Sequence, residues 1–210
     1  MILYRKAEIS ELDKVATICS QAYLNYPLFN ILSDEFKSRQ QFKNFLYTLQ
    51  RIYAKGFIKR QLCLVGTIDN EIVSIGMLQK PKQKDISIVE YILNGGLKLL
   101  QHIKLTTMVS FLNVVDKTEM ACNNVSQENW YLANLVVNEK FQGQHLGSEM
   151  LHQCVIPFVR ESGGKYITFN TNTEENSRFY KKNQFVEFDK RTINWHNLKL
   201  ENWSFMMDLQ

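Results

Sequence analysis

The sequence predicts an α/β fold, in which helices pack on both faces of a mixed sheet. Runs of apolar residues alternate between strand-like and helical spacing, in the order β-α-α-β-β, a helical insertion, and then β-α-β-α-β-β. The chain has 210 residues, of which 45% are hydrophobic, which is enough apolar material for a sizeable core. We therefore expect a single domain over residues 1–210, and no internal repeat is visible.

Composition and charge exclude several classes of protein. The formal net charge of +4 is too small to indicate a nucleic-acid partner. No apolar run approaches the ~20 residues that span a membrane, and the N-terminus lacks the apolar stretch of a signal peptide. The four cysteines are scattered without zinc-finger spacing, which favours reduced thiols and no metal. The sequence therefore predicts a cytoplasmic protein with no membrane, nucleic-acid or metal partner.

The first part of the chain is predicted to form a strand, two helices and a hairpin, at 1–9, 11–23, 35–55, 61–68 and 71–79. Ser10 is expected to cap the first helix, since serine side chains accept hydrogen bonds from the first turn. Pro27 ends that helical pattern. Asp69 and Asn70 are typical residues for the tight turn of the hairpin.

The segment 86–122 has helical periodicity and is predicted to be a helical insertion before the central strand. Gly95 and Gly96 interrupt it as a hinge or a helix end. Its apolar residues form two stripes at helical spacing: Val89, Ile92, Leu100 and Ile103, and then Leu105, Met108, Val109, Leu112 and Val115.

The last part of the chain begins with a near-continuous apolar run at 130–137, which is typical of a strand buried on both faces. A helix to about residue 161 follows, with Gly163 and Gly164 at its end. The remaining predicted elements are a strand at 165–170, a short helix at 176–182, and strands at 184–190 and 203–208.

The loop between the buried strand and its helix carries the chemical information. The first N–H groups of a helix have no partner within it, and the positive end of its dipole lies there. Small residues at Gly143 and Gly147 are expected to let an anion approach the main chain. The segment 135–148 therefore favours a phosphate or pyrophosphate site. A helix start with flexible glycines and no ligand is the alternative.

Two motifs resemble those of the GNAT N-acetyltransferase superfamily. Gln142 and Gly147 match its acetyl-CoA motif, in which Gln or Arg is followed after two residues by Gly and, after one further residue, by Gly or Ala, but His145 stands at the central glycine. The segment 176–185 is similar to a helix and strand of the family that carry an Asn, then Leu or Phe followed by Tyr, then Lys or Arg two residues later, and finally Gly-Phe. The matching residues here are Asn176, Phe179, Tyr180, Lys182 and Phe185. The segments 22–27, 130–132 and 141–144 further resemble the puromycin N-acetyltransferase-like branch.

The resemblance implies about seven strands flanked by helices, with acetyl-CoA between the strands at 130–137 and 165–170. An N–H near Leu135 or Val136 would polarise the thioester carbonyl. Tyr180 would be the catalytic residue, protonating the departing thiolate. The implied cofactor-binding residues are Leu135, Val136, Val137, Gln142, Gly143, Gln144, His145, Leu146, Gly147, Ser148, Asn176 and Tyr180.

The departures from the family pattern concern backbone conformation and the general base. His145 is strained if its position requires a positive φ. In place of the usual residue-glycine pair stands Asn183-Gln184, where Asn183 is expected to be the left-handed cap. The strand at 130–137 has no acid. The remaining candidates for a base, each more typical of a solvated surface, are Glu128, Asp34, Glu35 and Glu90.

The predicted function is transfer of acetyl from acetyl-CoA directly to a primary amine of a small molecule. The aromatic residues Tyr23, Tyr26, Phe29 and Phe36 either line the acceptor pocket or pack into the core. A peptide or protein acceptor, and a non-catalytic acyl-CoA sensor, are the alternatives, and the protein is a monomer or a homodimer. A Rossmann dinucleotide module is rejected because the glycines lie far along the chain.

Overall fold

The computed structural model describes residues 1–82, 94–126 and 128–210 and contains one seven-stranded mixed sheet. Strands β1 to β7 are Leu3–Lys6, Cys63–Ile68, Glu71–Gln79, Asn129–Val137, Tyr166–Thr171, Val186–Trp195 and Leu198–Asp208. Their order across the sheet is β1-β2-β3-β4-β5-β7-β6. Only the central β4–β5 pair is parallel among these neighbours. The predicted fold class is confirmed.

Helices flank the sheet in the predicted order. The α-helices α1 to α7 are Leu12–Ala22, Pro27–Asn30, Arg39–Lys59, Leu105–Asn123, Leu146–Met150, Ile156–Glu161 and Glu174–Lys182. A π-helical turn, Leu151–Val155, joins α5 to α6. Short 3-10 turns lie at Ile9–Glu11, Ser33–Glu35, Gly96–Gln101 and Glu139–Phe141. Among the described residues, no helix is both long and apolar enough to cross a membrane.

The N-terminal elements are shorter than predicted. β1 covers only part of the expected strand at 1–9, and Ser10 does not cap α1. A 3-10 turn precedes α1 instead, because Glu11 turns back to accept from the Glu8 N–H at 2.9 Å and pairs with Arg5 at 2.7 Å. The second long helix, α3, starts later than predicted, after Ser38, whose side chain accepts from the Gln41 N–H.

The insertion is helical over Gly96–Gln101 and Leu105–Asn123. Three residues of its second apolar stripe, Leu105, Val109 and Leu112, are exposed. The buried residues of α4 are Met108, Phe111, Val114, Thr118 and Cys122. Both sides of this helix are apolar, so its packing partners decide the orientation: Phe111 lies against Phe29, with ring centroids 6.0 Å apart. Val89 and Ile92 lie outside the described residues.

The helix after β4 is interrupted, and the last hairpin is longer than predicted. Pro157 stands inside the helical stretch and cannot donate a backbone hydrogen bond, which accounts for the π-helical turn immediately before it. β6 and β7 extend to a turn at His196, whose φ is 50°. Gly163, with a φ of 74°, ends α6 as expected.

The left-handed cap after α7 is Gln184 and not Asn183. Gln184 has a φ of 69°, whereas Asn183 has a φ of −91°. The Asn183 side chain instead donates to the Phe179 carbonyl at 2.8 Å and contacts His152 Nε2 at 3.1 Å. The asparagine therefore ties the end of α7 to the π-helical turn, and the backbone strain is carried by its neighbour.

We expect Gln184→Gly to stabilise the protein by about 1 kcal/mol, because glycine adopts the left-handed conformation without the clash of a Cβ atom. For a chain of this size the gain raises Tm by about 2–4 °C in a thermal melt. Asn183→Gly is the matched control and should lower Tm, since it removes two side-chain contacts. A lower Tm for Gln184→Gly would contradict the assignment of strain.

Candidate active site

β4 and β5 separate part-way along their length. They pair in parallel at Asn129, Trp130 and Tyr131 of β4, and the described pairing ends where Tyr131 faces Thr168. Both strands continue beyond that point, to Val137 and Thr171. The gap between these two continuations is called the β4–β5 cleft below.

A bulge in β4 lies at the point where the strands separate. On the other side of β4, Leu132 faces Leu78 and Asn134 faces Met77, so Ala133 has no opposite residue in β3. An extra residue of this kind bends a strand and increases its twist. The bulge therefore accounts for β4 turning away from β5 at this position.

The part of β4 that borders the cleft is an open sheet edge. Residues 134–137 pair with β3 on one side only, with Leu135 opposite Gly76 and Val137 opposite Ser74. An open edge presents N–H and C=O groups that pair readily with an extended, amide-bearing chain. The geometry thus fits the pantetheine arm expected beside Leu135, Val136 and Val137.

The loop after β4 presents unpaired backbone N–H groups. No hydrogen bond described for this chain uses the N–H groups of residues 143–148, and the first helical bond runs from Glu149 back to His145. The Gln142 side chain does not extend into the loop, because its Nε2 donates to the Val137 carbonyl at 3.2 Å. Asn138, which sequence reasoning missed, anchors the loop start by donating to the Ile72 carbonyl at 3.1 Å.

The two glycines of this loop serve different purposes. Gly143 has a φ of 79°, and a Cβ atom there would meet nothing within 4 Å. Gly147 is buried, and a Cβ atom there would lie 3.2 Å from Phe179 and 3.5 Å from Val137. The expectation that both glycines open the main chain to an anion therefore fits Gly143, whereas Gly147 lets α5 pack closely against α7.

His145 has a left-handed backbone conformation, which is the condition under which a histidine at a glycine position is strained. Its φ is 61° and ψ is 8°, at the residue immediately before α5, and its side chain makes no capping hydrogen bond. A left-handed residue with a Cβ atom costs about 1–2 kcal/mol. This turn aims the N–H groups of Leu146, Gly147 and Ser148 in one direction, which is the arrangement that binds phosphate at a helix start.

Tyr180 lies in α7 and is buried against β5. Its ring centroid lies 4.0 Å from that of Phe169, and 8% of its surface is exposed. Burial raises the pKa of Tyr180 well above the usual value, with a smaller contribution from Tyr26 in the same direction. The phenol is therefore protonated at every physiological pH, as a proton donor must be.

Asn176 holds the first turn of α7 to the end of β5. Its Nδ2 donates to Thr171 Oγ1 at 3.1 Å, and its backbone N–H donates to Thr173 Oγ1 at 3.1 Å. Sequence reasoning missed Thr171 and Thr173, although a threonine directly before two acidic residues, Glu174 and Glu175, is typical of a helix N-cap. The described side-chain contact of Asn176 is thus with the protein, and the expected contact with pantetheine stays a prediction.

Three of the four aromatic candidates form one wall above the cleft. The rings of Tyr23 and Phe29 are 5.0 Å apart, and those of Tyr23 and Tyr26 are 5.4 Å apart. The Tyr23 hydroxyl donates to Asn134 Oδ1 of β4 at 2.8 Å. Phe36 packs against Phe42 and Phe45 at 5.4 and 5.0 Å and belongs to the core.

The acidic residues considered as bases are engaged elsewhere. Glu128 pairs with Lys165 at 2.7 Å, at the end of β4 where the two strands are still together. Glu35 accepts from Thr107 Oγ1 at 3.3 Å, and Asp34 accepts from Ser33 Oγ at 3.4 Å. Glu90 lies outside the described residues. β4 itself, Asn129–Val137, contains no acid, as the sequence indicates.

The chain matches the sequence pattern of one protein family. Residues 109–187 match the acetyltransferase (GNAT) domain, and this range holds most of α4, the β4–β5 cleft, the loop after β4 and α7. This part of the chain therefore carries the GNAT domain pattern. This finding confirms the predicted class of acetyl-CoA-dependent N-acetyltransferase, whereas the puromycin-like branch stays a prediction. No curated protein matches the sequence.

Solved structures of N-acetyltransferases share the fold over essentially the whole of this chain. A polyamine N-acetyltransferase of Drosophila melanogaster is 15% identical, with a TM-score of 0.66 and 100% of both chains covered. An agmatine N-acetyltransferase mutant in its apo form is 13% identical, with a TM-score of 0.66 and 99% of both chains covered. A putative arylalkylamine N-acetyltransferase of the yellow fever mosquito is 13% identical, with a TM-score of 0.70, covering 100% of this chain and 88% of that one.

We expect His145→Gly to raise the free energy of unfolding by about 1 kcal/mol, because glycine relieves the left-handed strain. His145→Ala keeps a Cβ atom at the same φ and is the matched control without that relief. Calorimetry with CoA should give a Kd within about threefold of the parent for both variants, since main-chain N–H groups bind phosphate. A tenfold loss of affinity in both variants would assign phosphate binding to the imidazole instead.

Proposed function

We propose that this GNAT protein transfers the acetyl group of acetyl-CoA to a primary amine of a small molecule, directly and within a ternary complex. One observation carries the proposal. The parallel pairing of β4 and β5 stops after Tyr131 and Thr168, and the open edge that follows leads straight into unpaired backbone N–H groups. An edge for amides followed by a cradle for phosphates suits pantetheine joined to a diphosphate.

Under this proposal, the residues implied by the family motif have three separate roles. Leu135, Val136 and Val137 pair with the amides of the arm through their main chain. The diphosphate is bound by the main chain of residues 142–148, with Gly143 offering the least obstructed approach. A backbone N–H at Leu135 or Val136 polarises the thioester carbonyl, where negative charge develops.

The transfer step needs one proton donor and one proton acceptor. The amine nitrogen forms a bond to the carbonyl carbon, and the electron pair of the C–S bond leaves with sulfur. Tyr180 gives its hydroxyl proton to that sulfur. The amine loses a proton to water, because none of the carboxylates that the structure describes hydrogen-bonds to a group in the cleft. Water then reprotonates Tyr180.

Direct transfer agrees with the environment of the cysteines. All four are buried, and burial raises the pKa of Cys19, Cys122 and Cys154 to about 12. Burial raises the pKa of Cys63 in the same direction. A thiol in this state is not a nucleophile at neutral pH, which argues against an acyl-enzyme.

A small acceptor with an aromatic or amphipathic part fits the wall above the cleft. Tyr23, Tyr26 and Phe29 are only partly buried and present ring surface, with Phe111 behind them. The polar groups there are uncharged hydroxyls and amides, such as Asn134 and Thr171. Apolar walls with a few placed polar groups are typical of small-molecule sites.

The direct test is thiol release from acetyl-CoA with a panel of agmatine, spermidine, tyramine and an N-terminal peptide amine. We expect turnover with at least one of the three small amines and none with the peptide. Turnover with the peptide alone would replace the small-molecule acceptor by a protein one. Binding of CoA without turnover on any amine would favour the non-catalytic sensor.

Tyr180→Phe should lower kcat by about 100-fold or more, because the leaving thiolate loses its proton donor. The Kd of CoA, measured by calorimetry, should stay within about threefold, since the main chain binds the cofactor. Because burial raises the pKa of Tyr180, parental turnover should not decline up to about pH 10, whereas an unburied phenol begins to ionise there. Unchanged kcat in the variant would remove Tyr180 from the mechanism.

A further inference from the structure

The hydroxyl of Tyr26 is the centre of a hydrogen-bond cluster at the end of the β4–β5 cleft. It accepts from the backbone N–H of Asn172 at 2.8 Å and lies 3.1 Å from Thr171 Oγ1. Asn176 joins the cluster through Thr171, because its Nδ2 donates to the same Thr171 Oγ1 at 3.1 Å. Tyr26 itself belongs to the segment between α1 and α2, so one side chain from that segment reaches the end of β5 and the start of α7.

Both structures that Tyr26 contacts determine where Tyr180 lies. Thr171 ends β5, whose Phe169 packs on the Tyr180 ring with centroids 4.0 Å apart. Asn176 lies in the first turn of α7, and Tyr180 follows one turn later in the same helix. A rigid helix anchored at its first turn transmits a shift there to the residue one turn later.

The pKa of Tyr26 is subject to opposing influences that are absent at Tyr23 and Tyr180. Burial raises the pKa of Tyr26, but the bonds from Thr171 and Asn172 each oppose that rise. Burial of Tyr23 and Tyr180 raises the pKa of each with no such opposing bond. Tyr26 also lies close enough to Tyr180 for charge on Tyr26 to raise the pKa of Tyr180.

We propose that Tyr26 is a positioning residue for acetyl transfer: its hydroxyl fixes the end of β5 and the first turn of α7, and thereby holds Tyr180 at the leaving sulfur. This inference rests on the proposed function, because it presumes that Tyr180 is the proton donor. Tyr26 touches neither reacting atom in this role. The role also explains a buried polar cluster beside an open cleft, where each hydrogen-bonding group must find a partner.

The test is a double-mutant cycle of Tyr26→Phe and Tyr180→Phe, followed by thiol release from acetyl-CoA with tyramine or agmatine. If the parent protein uses neither amine, the readout is the slow hydrolysis of acetyl-CoA, in which water attacks the thioester. The same sulfur is the leaving group in that reaction. Tyr26→Phe should lower kcat by about tenfold or more, with the KM for acetyl-CoA within about threefold. In the Tyr180→Phe background the same change should cost less than about threefold.

Two further variants separate positioning from a loss of stability. Thr171→Val removes the hydroxyl that joins Tyr26 to Asn176 and should reproduce part of the kcat loss, whereas Thr171→Ser keeps the hydroxyl and should restore it. These variants carry the test if Tyr26→Phe does not fold. Tyr47→Phe is the matched control, because its hydroxyl bonds to Asp13 at 3.1 Å on the far surface, and its kcat should equal that of the parent.

The outcomes distinguish this inference from the function on which it rests. The positioning role is overturned if the kcat losses of Tyr26→Phe and Tyr180→Phe multiply in the double variant, because the two residues then act independently. It is also overturned if Tyr26→Phe and Thr171→Val each keep kcat within about threefold of the parent. Either result leaves Tyr180 as the proton donor. A parent that releases no thiol, or a Tyr180→Phe variant with full turnover, would instead refute the proposed function. The predicted result is a kcat loss that depends on the presence of Tyr180.

Discussion

The end of hydrogen bonding between β4 and β5, after Tyr131 and Thr168, is the constraint on which the rest of the site depends. The bulge at Ala133 bends β4 away, and Asn170 Nδ2 donates to the Tyr131 hydroxyl at 2.7 Å where the strands separate. An unpaired edge inside a sheet is costly unless a ligand or another strand covers it. The fold therefore leaves a place for an extended ligand at its centre and not at its rim.

The two strands that border the cleft carry different parts of the chemistry. β4 leads into the loop whose N–H groups have no described acceptor, which favours negative charge. β5 ends at Thr171, on which Tyr26 and Asn176 converge, and Tyr180 packs against Phe169 of the same strand. Two concavities, of about 630 and 270 Å³, are lined by residues such as Gln61 and Lys98 and include none of these groups. The strand geometry is what locates the candidate site.

The sequence predicted the strands, helices and amide-rich loop because each has a local signal. The apolar run of β4 and the glycines after it are local patterns, and the left-handed His145 follows from standing at a glycine position. Features set by distant packing could not be predicted. The buried face of α4 depends on Phe29, and the role of Gly147 depends on Phe179, which is remote in sequence. The hydroxyl cluster of Tyr26 joins residues separated by more than a hundred positions, for which a single sequence carries no signal.

Amide hydrogen exchange with and without CoA tests the central claim most directly, because it reports on the same N–H groups that define the cleft. The account predicts slower exchange at residues 133–137 and 143–148 when CoA is added, with little change at the distant hairpin of β6 and β7. CoA without its diphosphate, as pantetheine, should protect only the first of these segments. If exchange in both segments is as fast with saturating CoA as without it, the claim that the open edge of β4 and the following loop bind the cofactor is contradicted.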